Sequence, residues 1–296
     1  MNILLPVDGS EASVGAARFL STLNLGPDDE VNVLHVISFV PLLHDIESYS
    51  DVIFSIKQEI APKILDEISD ILRATPARLA TSIREGDVTG SIVDHAIQSK
   101  ADLIVMGAKG LTKLKSILIG STTHGVISRS PVPVLAVREG QWEGKDKLKI
   151  LFATDGSEYS DAAGRFLAGI PFNDSAEISV LNVVRSAVHD IPERFFVEID
   201  DRMKGEVAKI RTTEFSASEK IIEKSVEYLK DRFSDIKGIT KVGDPSLEII
   251  DAAEKFDIDI VVVGCQGRKG LKGIMGSVSK NVMRHAHCSF LICKSS

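Results

Sequence analysis

The chain repeats itself, and the repeat limits its fold more than any other feature. Val7-Asp8-Gly9-Ser10-Glu11 returns as Thr154-Asp155-Gly156-Ser157-Glu158, and Arg18-Phe19-Leu20 as Arg165-Phe166-Leu167, both 147 positions on. Val36 and Val183 keep that spacing. Gly86-Asp87 then matches Gly243-Asp244, and Gly107 matches Gly264, at 157, so the second copy gains ten residues after its second strand. From Gly120-Ser121 against Gly276-Ser277 the spacing falls to 156, so the loop just before has lost one residue. With 296 residues, each copy has the length of one ordinary domain, and both are expected to take the same fold.

Within each copy, short apolar runs alternate with stretches of helical period, the pattern of a parallel sheet covered on both faces. In the first copy the strands are Ile3 to Val7, Val31 to Ile37, Arg78 to Ile83, Leu103 to Met106 and Val134 to Val137. Helices are expected at about 12–23, 90–99 and 121–128. A longer one carries Ile56, Ile60, Ile64, Ile68, Ile71 and Leu72 at helical spacing, and Pro62 should kink it or mark its first regular turn. Ser10 is the expected N-cap of the first helix. Gly86-Asp87 and Gly243-Asp244 read as tight turns whose acids cap the helices that follow. The polar stretch 139–147, with two glycines, separates a first domain, 1–138, from a second, 148–296. Trp142 within it is expected to pack on a domain surface.

Composition narrows the function. Hydrophobic residues make up 44% and charged residues 26%, enough apolar material for a core in each half. A net charge of −7 argues against the broad basic surface that nucleic-acid binding requires. No apolar run approaches the roughly 20 residues of a membrane span, and the N-terminus lacks a signal-peptide pattern. Cys265, Cys288 and Cys293 form no CxxC pair, which suits buried thiols in a reducing, cytoplasmic setting.

The chemistry gathers in the loop after the fourth strand. Gly107 and Gly110 bracket two residues, nine residues follow, and Gly120-Ser121-Thr122-Thr123 then opens a helix. Glycines let backbone amides approach an anion, and a helix N-terminus adds unpaired N–H groups and the positive end of a dipole. Ser121 and Thr122 add hydroxyls. In an open α/β sheet the ligand crevice lies at the carboxyl ends of the strands where strand order reverses, which sets Pro6-Val7-Asp8 beside this loop.

These residues resemble the ATP-binding branch of the universal stress protein family, whose loop reads Gly, two residues, Gly, nine residues, Gly, then Ser or Thr. The resemblance covers nearly the whole chain outside the linker. It implies two flavodoxin-like (Rossmann-like, adenine nucleotide alpha hydrolase-like) α/β domains, each with a five-stranded parallel sheet of order 3-2-1-4-5 and helices on both faces. It also implies ATP, with Mg²⁺ accompanying it. Pro6, Val7, Asp8, Val36 and Met106 would surround adenine and ribose, and Gly107, Gly110, Gly120, Ser121 and Thr122 would hold the phosphates. The second copy offers Ala153, Thr154, Asp155, Val183, Val263, Gly264, Gly267, Gly276, Ser277 and Val278. Its glycine loop is one residue shorter and Pro6-Val7 has become Ala153-Thr154, which puts the second site in doubt. Arg268, Lys269 and Lys272 would compensate by charge or form a solvated face. Family members often dimerise through the last strand, so the apolar last strands, Val134 to Val137 and Phe290 to Cys293, imply a pseudo-dimer within one chain, with a further homodimer open.

No catalytic residue stands out. The sequence lacks a GxSxG elbow, the GxxxxGK[ST] loop and the GxGxxG fingerprint. His285-Ala286-His287-Cys288 has metal-ligating residue types, but alternate residues entering a strand diverge. His124 reads as a surface residue of a helix's first turn. A nucleotide-responsive stress regulator is the reading preferred, against a slow Mg-dependent ATP hydrolase or phosphoryl-transfer enzyme and a scaffold with relic sites.

Overall fold

The structure is a computed structural model. It describes residues 1–38, 50–108, 119–140, 142–145, 147–186, 188, 200–267 and 275–294, with no side chains for 50 and 51. The first copy contains β1 (Asn2–Val7), α1 (Glu11–Ser21), β2 (Glu30–Ser38), α2 (Ser50–Leu72), β3 (Arg78–Gly86), α3 (Val88–Gln98), β4 (Leu103–Gly107), α4 (Ser121–Arg129) and β5 (Val134–Val137). The second contains β6 (Lys149–Ala153), α5 (Glu158–Gly169), β7 (Glu177–Val184), α6 (Asp201–Leu229), β8 (Asp235–Val242), α7 (Pro245–Lys255), β9 (Ile260–Gly264), α8 (Ser277–His285) and β10 (Ser289–Cys293). The extra residues of the second copy fall in the β7–β8 crossover, whose helix α6 runs 29 residues against 23 for α2.

All ten strands join one sheet in the order β3-β2-β1-β4-β5-β10-β9-β6-β7-β8. Each copy therefore contributes a parallel half of order 3-2-1-4-5, as the sequence implies. The halves meet where β5 and β10 pair antiparallel, with Val134, Leu135 and Ala136 opposite Ile292, Leu291 and Phe290. The two last strands thus occupy each other, leaving β3 and β8 as the outer edges. Those edges are only partly buried, whereas β4, β5, β9 and β10 are apolar and buried nearly throughout, as strands covered on both faces must be.

Two apolar layers flank the sheet. Val14, Phe19, Leu65, Ile68, Leu167 and Leu229 from α1, α2, α5 and α6 pack on one face. Ile92, Val126, Ile249 and Val282 from α3, α4, α7 and α8 pack on the other. Each layer runs through both copies without a break at the seam. Five phenylalanines, Phe19, Phe152, Phe172, Phe233 and Phe290, are fully buried, each contributing about 2 kcal/mol relative to exposure. No helix among the described residues is long and apolar enough to cross a membrane.

Local chemistry sets the helix starts. Ser10, Asp87, Ser157, Asp200 and Asp244 each accept a backbone N–H from the first turn of the helix they precede. Gly86 and Gly243 turn at φ +133° and +151°, a region that side chains disfavour. Pro62 neither starts nor ends its helix: α2 runs through it. Pro62 is exposed, so the carbonyl of Gln58, deprived of its N–H partner, lies on the wet side of the helix.

Although polar in composition, the linker is tied down at Trp142 and at Lys145. Trp142 is buried, its ring edge-on to Phe19 at 5.3 Å, and its Nε1–H donates to the Arg138 carbonyl at 3.2 Å. Arg138 reaches the second copy, its N–H donating to Ser289 Oγ at 3.0 Å and its Nε–H to the Cys288 carbonyl at 3.1 Å. Lys145 Nζ donates to Asp257 at 2.9 Å and to Asp259 at 2.7 Å. The Asp259 carboxylate is wholly buried and also accepts the Lys149 N–H at 2.8 Å.

Two predictions follow from this packing. Lys145→Ala leaves a buried carboxylate with only one backbone donor, and should lower the urea-unfolding free energy by about 1–3 kcal/mol; an unchanged midpoint and slope would refute the clamp. His95 on α3 is buried, and neither ring nitrogen has a hydrogen-bond partner among the described residues. Burial, and secondarily the Arg84 charge, hold its pKa below the ordinary 6.5. The unfolded chain then binds the proton more readily, so this contribution to stability is complete above about pH 6.5 and is lost as pH falls below it. The melting temperature of His95→Phe should therefore drop less between pH 7 and pH 5 than that of the unaltered protein.

Candidate functional site

Strand order reverses between β1 and β4, because the crossover from β1 leads outward to β2 while β4 pairs on β1's other side. The carboxyl ends of both strands, with the start of α4, make the crevice. Pro6, Val7, Val36 and Met106 are all buried near the carboxyl ends of β1, β2 and β4, Val7 packed into the α1 and α2 layer and Val36 and Met106 into the α3 and α4 layer. Asp8 stands exposed just beyond β1, its Oδ1 accepting the Ser10 N–H at 3.0 Å and also the Ser10 hydroxyl.

Gly107 ends β4. A Cβ there would lie 2.3 Å from the Ala12 carbonyl oxygen, so glycine is required for α1 to approach the strand. This packing role comes in addition to the phosphate role inferred from spacing. The Gly107 carbonyl accepts the Thr123 hydroxyl at 3.0 Å, and the next amide, Ala108, donates to the Val137 carbonyl at 2.7 Å. The first contact fixes the start of α4 against the end of β4, and the second ties that end to β5. Gly110 lies outside the described residues, as does the rest of 109–118.

Helix α4 begins on Gly120 (φ −58°, ψ 142°), which offers no side chain to its first-turn amides. Among the described N-caps only this glycine and Gly276, before α8, are bare; the others carry a Ser or Asp acceptor. The N–H groups beside Ser121 and Thr122 are thus left to solvent or to an anion, with the helix dipole adding its positive end.

The second copy repeats the frame and differs at the crevice. Thr154, where Val7 stands in the first, is buried, donates its hydroxyl to Ser160 Oγ at 3.0 Å and accepts the Gly156 N–H at 3.2 Å. Asp155 Oδ1 accepts the Ser157 N–H at 3.1 Å, and its Oδ2 lies 2.8 Å from where a Cβ on Gly267 would sit. The Gly276 amide is already bonded to the Cys265 carbonyl at 2.8 Å. Around these, Val263 is buried, Ala153, Val183, Gly264 and Val278 frame the same crevice, and Ser277 is exposed. Arg268, Lys269 and Lys272 lie outside the described residues.

Sequence reading missed two devices that both copies share. His35 Nδ1 donates to the Val7 carbonyl at 2.9 Å, which requires the proton on Nδ1, and Asn182 Nδ2 donates to the Thr154 carbonyl at 2.8 Å. Each bond pins the end of a first strand. Likewise, the Ser279 hydroxyl donates to the Gly264 carbonyl at 2.6 Å, as Thr123 does to Gly107. Both pairs lie at the repeat spacing, so aligning the copies on polar residues would have exposed them.

The three cysteines are free and buried. Burial pushes the Cys265 thiol up, Cys288 to about 12 and Cys293 higher still, so all three are protonated at neutral pH and poor nucleophiles. His287 pairs with Glu254 at 3.0 Å. Among the described residues no group of three or more His, Cys, Asp or Glu is arranged to hold a metal ion.

The shared pinning bond gives a swap test. His35→Asn should leave stability and crevice intact, because Asn182 makes the same bond, whereas His35→Leu should lose about 1 kcal/mol in urea unfolding. Equal losses in both variants would show that the bond is not the reason for the residue.

The universal stress protein family model matches residues 1–138 and again 148–294. A universal stress protein of Mycolicibacterium smegmatis is 23% identical over 304 aligned positions, covering 99% of this chain and 96% of its own. YxiE of Bacillus subtilis is 34% identical, spanning 49% of this chain and 98% of its own, and MJ0531 of Methanocaldococcus jannaschii is 32% identical, spanning 48% and 84%. Among solved structures, a universal stress protein of Archaeoglobus fulgidus shares the fold over 100% of this chain and 98% of its own, with a TM-score of 0.64 at 23% identity. The repeated α/β unit, the glycine-marked crevice and these likenesses agree: the chain belongs to the universal stress protein family, with two copies of its domain in tandem.

Proposed function

We propose that the first copy, residues 1–138, binds ATP, and that the protein is a nucleotide-responsive stress regulator acting in a cytoplasmic setting. Residues 148–296 form the second domain and 139–147 the linker. The observation that carries the reading is the uncapped start of α4, tied to the carboxyl end of β4, the strand that pairs with β1. Amides near Gly120, Ser121 and Thr122 have no side-chain acceptor from their cap, and a nucleoside would rest on Pro6, Val7, Val36 and Met106. A polyphosphate supplies the acceptors that Ser and Asp caps supply elsewhere in this chain. Mg²⁺ would accompany the nucleotide, held by its phosphates. Bound ATP changes the surface around the start of α4, and a partner reads the altered surface.

The test exploits the cap. Gly120→Asp fits the observed backbone and gives α4 the cap that Asp87 and Asp244 give α3 and α7, so the variant should fold at least as stably. Its carboxylate then occupies the amides and repels phosphate. Calorimetric titration of the whole chain should show ATP binding that Gly120→Asp weakens at least about tenfold, or about 1.4 kcal/mol. An unaltered protein that takes up no ATP, or a variant that binds it equally well, sinks the reading. A turnover assay with Mg²⁺ on the same samples separates a regulator from a slow hydrolase.

A further inference from the structure

We propose that Lys294, from the second copy, is a positioning residue for the ATP site of the first, acting through helix α4; this rests on the reading of that site given above. Lys294 follows β10 directly, and its Nζ crosses the seam to donate to the Ser128 carbonyl at 3.2 Å. Ser128 lies in the last turn of α4, where carbonyls lack partners within the helix and favour a cation. The opposite end of α4 is the bare Gly120 start. Nine residues make a rod about 13 Å long, so fixing one end fixes where the other presents its amides. Between the two ends, Thr123 on Gly107 is the only side-chain bond that ties α4 to β4 among the described residues.

The arrangement runs one way. Arg138, the counterpart of Lys294 in the first copy, also crosses the seam, but its Nε–H lands on the Cys288 carbonyl, past the Ala286 that closes α8. Helix α8 is therefore not gripped at its last turn as α4 is. Just before α8, the Gly276 amide is bonded to the Cys265 carbonyl at the end of β9, and Asp155 Oδ2 lies close to Gly267. The copy with the full-length glycine loop receives the brace, and the copy with the shortened loop supplies it.

The effect should fall on the phosphates and spare the nucleoside, because the site residues at the start of α4, Gly120, Ser121 and Thr122, are all assigned to the phosphates and none to adenine or ribose. The experiment compares Lys294→Ala and Lys294→Arg with the unaltered full chain, titrating ATP and adenosine separately, with melting curves to verify folding. Lys294→Ala should bind ATP about three- to fivefold more weakly while its adenosine affinity is unchanged, and Lys294→Arg, which keeps a donor in reach, should stay within about twofold for both. Equal weakening of ATP and adenosine would mark a general loss of structure and overturn the proposal. So would an ATP affinity that Lys294→Ala leaves untouched. If the unaltered chain binds no ATP, the site reading falls and takes this inference with it; if it binds and Lys294→Ala binds equally, this inference alone falls.

Discussion

Everything else in the molecule is arranged around the antiparallel contact of β5 with β10. A parallel half-sheet ending on Val134–Val137 or on Ser289–Cys293 would expose a largely apolar edge, a surface open to pairing with another strand. By pairing with each other these strands remove both edges and carry the two apolar layers across the seam. They also set the positions of the residues just after them. Arg138 and Lys294 each emerge from a strand lying against the opposite copy, and each reaches a backbone carbonyl there.

The crevice depends on backbone more than on side chains. Gly107 is confined by the Ala12 carbonyl, the end of β1 is held by a side-chain donor on β2, and α4 starts without a cap of its own. A site of this kind presents amides at fixed positions and contributes few ionisable groups, which suits holding an anion better than moving protons. The buried, protonated thiols fit the same picture, since their chemistry is packing.

Most of the fold could be read from sequence, because the signals were local and occurred twice. The strand runs, the Ser10 cap, the glycine turns before Asp87 and Asp244, and the duplication itself depend on periodicity and turn chemistry. The apolar last strands likewise foretold their pairing. What escaped was long-range and polar. Nothing near His35 or Asn182 indicates that each donates to a carbonyl 28 residues away, and although Trp142 was expected to pack on a domain surface, a stretch as hydrophilic as 139–147 gives no sign that Lys145 fastens it to the other domain. Pro62, inside α2, does not mark the first turn of that helix. Its cost in a helix depends on whether the orphaned carbonyl faces water, and the outer face of α2 was not assigned before the structure. Gly107 was read for a ligand, yet its close contact with Ala12 shows that a packing demand alone would keep it.

Joining the halves covalently has a consequence beyond proximity. In a pair of identical subunits, every substitution at a twofold interface appears on both sides at once, so a change that helps one crevice burdens the other. Here the equivalent positions 138 and 294 carry an arginine and a lysine, positions 35 and 182 a histidine and an asparagine, and one glycine loop has lost a residue. Carrying both copies in one chain releases the twofold constraint while keeping its geometry. The halves are thereby free to specialise, one toward holding a ligand and the other toward holding its neighbour in place.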